Sequence, residues 1–136
     1  MNLINTSVEL ISLPKFLDHR GNLSFIEQEM HIPFKIARAY WIYDVPGGEF
    51  RGSHAFKQTD EFIVALSGSF DVVLHDGKEE KKYSLNRSYY GLLVPKLIWR
   101  KIENFSTNSL ALVLASTNFT ESDYIRDFEQ FLLNLK

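Results

Sequence analysis

One histidine in the middle of the chain stands where a catalytic base could act. His54 lies in the segment Phe50–Lys57, between a turn signal and the apolar run that follows it. If this segment is a strand, alternation places Gly52, His54 and Phe56 on one face and Arg51 on the other. A histidine on the inner face of a sheet, two residues from a glycine, is a candidate base with space for a ligand beside it. The alternative interpretation is a buried, hydrogen-bonded histidine of the core.

The remaining histidines do not form a metal-binding pattern. We interpret His31, in a loop, and His75, on the polar face of a strand, as solvated, while His19 lies in a turn and could reach a cavity mouth although nothing requires it. A metal site needs three or four ligands at characteristic spacing. The position two residues after His54 is Phe56, no histidine follows His75, and Glu61 alone cannot complete a ligand shell. We therefore predict a protein without a metal ion or other cofactor.

Arginines are the candidate anion ligands. Arg38 shares a strand face with Tyr40, Arg51 lies close to His54, Arg20 falls in a polar turn, and Arg100 follows a tryptophan. Each one alone is more typical of a protein surface. Several of them at one barrel mouth would suit a diphosphate, because guanidinium groups match phosphate oxygens.

Composition excludes several classes of protein. The chain of 136 residues has no cysteine, which excludes disulfides, thiolate metal sites and cysteine nucleophiles. A net charge of −2 without a basic run argues against nucleic-acid binding. The amino terminus has no signal-peptide pattern, and no apolar stretch approaches the ~20 residues of a membrane span. We expect a cytoplasmic protein that contacts neither nucleic acid nor membrane.

Short strands separated by turns dominate the chain. The charged run 78–82 is predicted to be a solvated hairpin tip, and the run Phe62 to Leu66 a strand buried on both faces. Besides that run and the histidine segment, we predict strands over Val8 to Leu13, Leu23 to Ile26, Ile36 to Tyr43, Phe70 to His75, Tyr89 to Val94, Leu97 to Ile102 and Leu110 to Ala115.

Only the carboxyl-terminal segment has helical spacing. A capping pattern near Thr120 precedes apolar residues at helical intervals, which predicts an α-helix over about 121–134. No linker or repeat divides the chain. We therefore predict one domain over residues 1–136, an all-β antiparallel jelly roll or cupin barrel with a C-terminal α-helix.

Motifs along nearly the whole chain resemble those of the sugar-nucleotide 3,4-ketoisomerases, cupins that act on dTDP-4-keto-6-deoxyglucose. They occur in the same order, and the segment 121–126 is the most particular. The matching segments are Asp18 to Leu23 with Ile26-Glu27, Ile32 to Ile42, Arg51 to Lys57, Leu66 to Ser69, Gly91 to Val94, Ile98 to Arg100, Val113 to Ser116 and Glu121 to Arg126.

The resemblance implies a cofactor-free homodimer that converts a dTDP-4-keto-6-deoxyhexose to its 3-keto isomer through an enediol. The product would serve deoxyaminosugar biosynthesis for a surface polysaccharide. It implies that His54 is the base and that Tyr40 assists it. A histidine with a reference pKa of ~6.5 can accept and return a proton near neutrality. The resemblance further implies that Arg38 and Arg51 hold the diphosphate, and that Arg20 and Arg100 lie near the hexose.

One position departs from the family pattern. Family members usually carry a second histidine where this chain has Phe56, and phenylalanine cannot transfer a proton. Two alternatives therefore stay open. One is a 3,5-epimerase of the same superfamily, for which Asp60, Glu61 or Asp71 would have to pair with the histidine. The other is a non-catalytic protein that binds a nucleotide sugar.

Overall fold

Two five-stranded antiparallel sheets form the body of the protein. The computed structural model describes residues 7–136, so the predicted domain boundary at residue 1 lies outside the described residues. The strands are β1 (Glu9–Ser12), β2 (Lys15–Phe16), β3 (Leu23–Ser24), β4 (Arg38–Tyr43), β5 (Arg51–Phe56), β6 (Glu61–Ser67), β7 (Phe70–His75), β8 (Glu80–Leu85), β9 (Tyr90–Val94), β10 (Trp99–Glu103), β11 (Leu110–Ala115) and β12 (Tyr124–Ile125).

The sheets face each other as in a jelly roll. The first has the order β1-β9-β6-β11-β4 and the second the order β12-β5-β10-β7-β8, while β2 and β3 form a separate hairpin. Apolar side chains from the two inner faces make one core, which includes Ile63, Val72, Leu92, Ile102 and Val113. The predicted cupin-type fold is therefore confirmed, although the sheets do not close into a barrel.

The first sheet is covered on its outer face as well. Ile32 and Phe34 pack against Phe62 and Val64 on that face, while Ile63 of the same strand points into the main core. The prediction of a strand buried on both faces is confirmed for Phe62 to Ala65, whereas Leu66 is 44% exposed. No helix in the described part of the chain is long and apolar enough to cross a membrane.

The charged run after Asp76 differs from its prediction as a solvated tip. Only the turn near Asp76 matches, because Glu80–Leu85 forms β8 and pairs with all six residues of β7. This is an edge strand with alternating exposure, and its last residue, Leu85, is fully buried opposite Phe70. Charged side chains on the outer face of an edge strand discourage pairing with other chains, which explains the composition.

The C-terminal helix starts later than the helical spacing predicts. Glu121–Asp123 form a 3₁₀ turn, β12 follows, and the α-helix α1 covers only Phe128–Asn134. Tertiary contacts override the local pattern, because β12 pairs with Phe56 and Ala55 of β5. The α1 helix then buries Phe131 against the outer face of the second sheet.

Candidate active site

A cavity of about 460 Å³ opens between the two sheets at one end of the jelly roll. β4 contributes from the first sheet, and β5, β10 and β12 contribute from the second. The lining residues are Tyr40, Trp41, Ile42, Arg51, Gly52, Ser53, His54, Arg100, Tyr124 and Arg126. Four of the six predicted site residues therefore lie at this cavity: His54, Tyr40, Arg51 and Arg100.

His54 lies in the wall of the cavity and is only 7% exposed. Its ring makes edge contacts with Phe56 at 4.8 Å and Tyr124 at 5.0 Å between ring centroids. The shared face predicted for His54 and Phe56 is therefore confirmed. The Nε2 atom is buried and has no hydrogen-bond partner among residues 7–136, so the imidazole is not the hydrogen-bonded core histidine of the alternative interpretation.

Burial keeps the imidazole of His54 neutral. Desolvation, reinforced by the positive charges of Arg100, Arg126 and Arg38, lowers the pKa of His54 to about 2. This pKa lies well below the reference value of 6.5 for a histidine. A neutral imidazole can still accept a proton, but the imidazolium that results is unstable and must pass the proton on quickly.

A β-bulge at Gly52 moves Arg51 to the cavity side of the sheet. Arg100 pairs with His54, but Ile102 pairs with Arg51, so β5 has one more residue than β10 over this interval. Gly52 accommodates the bulge with a φ of +71°. Alternation had placed Arg51 on the opposite face, and the extra residue reverses that assignment.

Tyr40, Glu61 and Arg100 form a buried cluster beside the cavity, which Tyr40 and Arg100 line. Arg100 Nη2 lies 2.7 Å from Glu61 Oε1 and donates to the Tyr40 hydroxyl at 2.6 Å. The Tyr40 hydroxyl in turn donates to Glu61 Oε2. Arg100 and Glu61 are each only 1% exposed. Burial raises the pKa of Tyr40, partly offset by Arg100, so Tyr40 remains a protonated donor.

Arg100 retains hydrogen-bonding capacity. Its Nε and Nη1 are buried without a hydrogen-bond partner in the described part of the chain. Gly52 permits this position, because a Cβ there would lie 2.5 Å from Arg100 Nη1. Unpaired buried donors are costly, so this cluster fits a ligand that brings oxygen acceptors into the cavity.

Other arginines surround the aromatic ring of Tyr124. Arg38 is half-buried behind the lining residues, where it donates to the Tyr124 hydroxyl at 3.4 Å and to the Thr117 carbonyl at 3.0 Å. The Arg126 guanidinium lies 4.2 Å from the centre of the same ring and pairs with Glu121. With Arg51 and Arg100, these groups give the cavity a strongly cationic wall suited to an anion.

Arg20 is not brought to the cavity by the fold of one chain. Its side chain is 79% exposed and pairs with Asp18 at 2.9 Å. A role for Arg20 near a hexose therefore stays a prediction.

Two of the other histidines are less solvated than predicted. His75 Nδ1 accepts the Gly77 N–H at 2.9 Å, and the ring packs edge-on against Phe128. His31 Nδ1 accepts the Glu27 N–H, whereas His19 is exposed. Over the described range, no group of three or more histidine, aspartate or glutamate side chains could hold a metal ion.

The sequence alone did not reveal the contacts that Glu61, Tyr124 and Arg126 make at the cavity. Glu61 was considered only as a metal ligand or as the partner of a histidine, whereas it pairs with Arg100. Tyr124 and Arg126 are two residues apart, which is the spacing of residues on one strand face. Interpreting 121–126 as helix concealed that spacing.

Comparisons with known proteins identify the family. A family model described as "FdtA: WxcM-like, C-terminal" matches residues 6–136. The chain belongs to this family. A curated relative, the TDP-4-oxo-6-deoxy-alpha-D-glucose-3,4-oxoisomerase of Aneurinibacillus thermoaerophilus, is 39% identical over 123 residues, which cover 90% of this chain and 88% of that protein.

Solved structures of 3,4-ketoisomerases superpose closely on the chain. A 3,4-ketoisomerase from Helicobacter canadensis is 37% identical with a TM-score of 0.93, covering 97% of this chain and 100% of that one. A histidine-to-asparagine variant of QdtA from Thermoanaerobacterium thermosaccharolyticum, crystallised with TDP-4-keto-6-deoxyglucose, is 34% identical with a TM-score of 0.92 and covers 95% and 94%. A dTDP-4-dehydrorhamnose 3,5-epimerase from Bacillus anthracis, at 17% identity and a TM-score of 0.78, covers 88% and 77% and shares the fold.

Proposed function

We propose that the protein is a sugar-nucleotide 3,4-ketoisomerase that converts a TDP-4-keto-6-deoxyhexose to the 3-keto isomer. The observation that carries this proposal is the neutral His54 at a cationic cavity, whose Nε2 has no hydrogen-bond partner among residues 7–136. Its relatives are named 3,4-ketoisomerases or 3,4-oxoisomerases, and one was crystallised with TDP-4-keto-6-deoxyglucose.

The reaction needs a base and a means of stabilising an enolate. The C3 proton of a 4-keto sugar is acidified by the adjacent carbonyl, and its removal by His54 gives an enediol intermediate. Return of a proton to C4 then leaves the ketone at C3. A positioned base typically contributes ~10²–10⁴-fold to the rate. Arg100, whose Nε and Nη1 have no hydrogen-bond partner among residues 7–136, and Tyr40 supply donors for the developing oxyanion.

The remaining arginines suit the nucleotide part of the substrate. We assign the diphosphate to Arg38 and Arg51, as the family resemblance implies, and add Arg126 because it lines the same cavity. Tyr124 links two of these groups, since it accepts from Arg38 and lies under Arg126. We assign Arg100 to the hexose, and Arg20 is assigned near the hexose on the family resemblance alone.

The carboxylates of this site argue against a 3,5-epimerase. Such an enzyme would pair its histidine with a carboxylate, but Glu61 is bound to Arg100 and Tyr40. The Asp71 carboxylate accepts from Ser84 and Asn104 instead, and the Asp60 carboxylate accepts the Lys96 backbone N–H. A non-catalytic binder is favoured only by Phe56 at the position of the second histidine.

We further propose that residues 1–136 form a single domain and that the protein works in the cytoplasm as a homodimer, in deoxyaminosugar biosynthesis for a surface polysaccharide. Support for a dimer comes from the β2–β3 hairpin and its flanks. These expose the apolar side chains of Phe16, Leu17, Leu23 and Phe25. An exposed apolar patch of this kind is typical of an association surface.

Incubation with TDP-4-keto-6-deoxyglucose, followed by NMR, tests the function. The expected product is the 3-keto sugar. Solvent deuterium at C5 with a retained 4-keto group would indicate an epimerase instead, and an unchanged sugar would indicate a binder. The variant His54→Asn should lower turnover by at least about 10²-fold, since it removes the base. It should retain TDP binding, because the arginines remain. Near-normal turnover by this variant would contradict the role of His54.

A further inference from the structure

Isomerisation moves two protons, and His54 accounts for only one of them. The proton on C3 travels to C4, while the hydroxyl proton on O3 must be lost and O4 must gain one. With Phe56 at the position of the family's second histidine, the second transfer needs another group. This inference rests on the proposed function and concerns which residue handles the oxygen-bound proton.

The Tyr40 hydroxyl is the group placed for that transfer. It donates its proton to Glu61 Oε2 and accepts a hydrogen bond from Arg100 Nη2. A phenol oxygen has two acceptor lone pairs, so one remains for a donor on the cavity side. Tyr40 lines the cavity, whereas Glu61 does not and is almost fully buried. A proton can therefore reach Glu61 from the cavity through Tyr40.

We propose that Glu61 is the positioning residue and transient proton acceptor for Tyr40, replacing the missing second histidine. His54 takes the C3 proton, and the electrons of the C3–H bond form C3=C4 while O4 becomes an oxyanion beside Arg100. The O3 proton passes to Tyr40, whose own proton passes to Glu61. The relay then reverses and delivers a proton to O4. Finally His54 protonates C4 and C3=O forms, so that every proton is accounted for.

The position of Glu61 fits this role better than a purely structural one. Its carboxylate contacts both Arg100 and Tyr40, so one side chain orients the oxyanion donor and the relay hydroxyl together. A comparable buried carboxylate, Asp71, is satisfied by Ser84 and Asn104 and contacts no residue of the cavity lining in its hydrogen bonds. Asp71 therefore provides a matched control.

Deuterium exchange separates the two proton transfers. In D₂O, the variant Glu61→Gln should form product about 10²-fold more slowly. It should continue to exchange the C3 proton of the starting sugar, because His54 needs no relay for that step. The ratio of exchange to product should rise about tenfold or more. A structural defect would lower exchange and product together and leave the ratio unchanged, which would overturn the inference.

Further variants complete the test. Tyr40→Phe leaves the Glu61–Arg100 ion pair in place and should raise the same ratio, and the double variant should resemble Tyr40→Phe alone. Asp71→Asn should leave the ratio unchanged. If circular dichroism shows that Glu61→Gln does not fold, Glu61→Asp is measured instead, because the shorter side chain retracts the carboxylate from Tyr40. An unchanged ratio of C3 exchange to product in Glu61→Asp would also overturn the inference. A wild-type protein that makes no 3-keto product overturns the proposed function itself.

Discussion

His54 combines burial with the charge environment of an anion-binding site. The same arginines that would hold a diphosphate also disfavour a positive charge on the imidazole. When an anionic substrate enters, it neutralises part of that field. The base should therefore be a better proton acceptor in the complex than in the free protein.

The pKa of His54 predicts a stability that declines in acid. The folded-state pKa of about 2 lies below the unfolded value of 6.5, so the unfolded chain binds an extra proton between these values. The contribution of His54 is complete above pH 6.5 and is lost as the pH falls below it, by up to ~1.4 kcal/mol per pH unit. Urea unfolding between pH 5 and 8 measures this slope.

The variant His54→Asn should flatten that slope, because asparagine takes up no proton. His19→Asn serves as the control, since the His19 side chain is 91% exposed and loses little hydration on folding. Equal slopes for the wild-type protein and His54→Asn would contradict the assignment of the acid sensitivity to His54.

Several residues of the cavity could be predicted from the sequence, but the contacts between their side chains could not. His54 could be selected because it shares a predicted inner strand face with a glycine, whereas the roles of Tyr40, Arg51 and Arg100 came from the resemblance to the 3,4-ketoisomerases. The ion pair between Glu61 and Arg100 joins residues from two different sheets, and no local pattern reports such a contact. The depressed pKa of His54 likewise depends on arginines distant in sequence.

At the scale of elements, the bulge in β5 brings Arg51 to the same cavity as His54. Alternation correctly predicted that His54 and Phe56 share a face, since β5 is regular between them. Alternation predicted the wrong face for Arg51. A bulge depends on tertiary contacts, and the presence of Gly52 in the sequence permits a bulge without showing that one forms. The edge strand β8 was not predicted, because the charged residues at its start suggest a solvated turn. Its last residue, Leu85, is nevertheless buried.

Substitution of Gly52 tests how far the site depends on the bulge. Gly52→Ala would force a side chain into a φ of +71° and place Cβ 2.5 Å from Arg100 Nη1. Strain of this kind costs about 1–3 kcal/mol, and displacement of Arg100 should also lower turnover about tenfold or more. Gly47→Ala is the matched control, because no heavy atom of the described residues outside its chain neighbours lies within 4 Å of its Cβ position. Wild-type stability and turnover in Gly52→Ala would contradict this account.

At the scale of the whole molecule, the C-terminal segment links the two sheets at the cavity. The Asp123 carboxylate accepts the Gln58 N–H at 2.7 Å and is bonded by Thr59, while Tyr124 beside it reaches Arg38 on β4. The segment that resembles the family most closely is therefore the one that positions Tyr124 and Arg126. Helical spacing alone could not predict this, because the contacts lie more than sixty residues away.

The exposed apolar side chains of the β2–β3 hairpin predict that two chains associate. Leu17 and Leu23 are 70% and 57% exposed, so they contribute apolar surface that one chain does not cover. Light scattering should give a mass of about twice the 15.8 kDa of the chain. The variant Leu17→Glu with Leu23→Glu should raise the dissociation constant about 100-fold or more, because unpaired charges would be buried. Leu133→Glu, an equally exposed position on α1, should leave the dimer intact. A monomeric wild-type protein, or a double variant that remains a dimer, would exclude this hairpin as the interface.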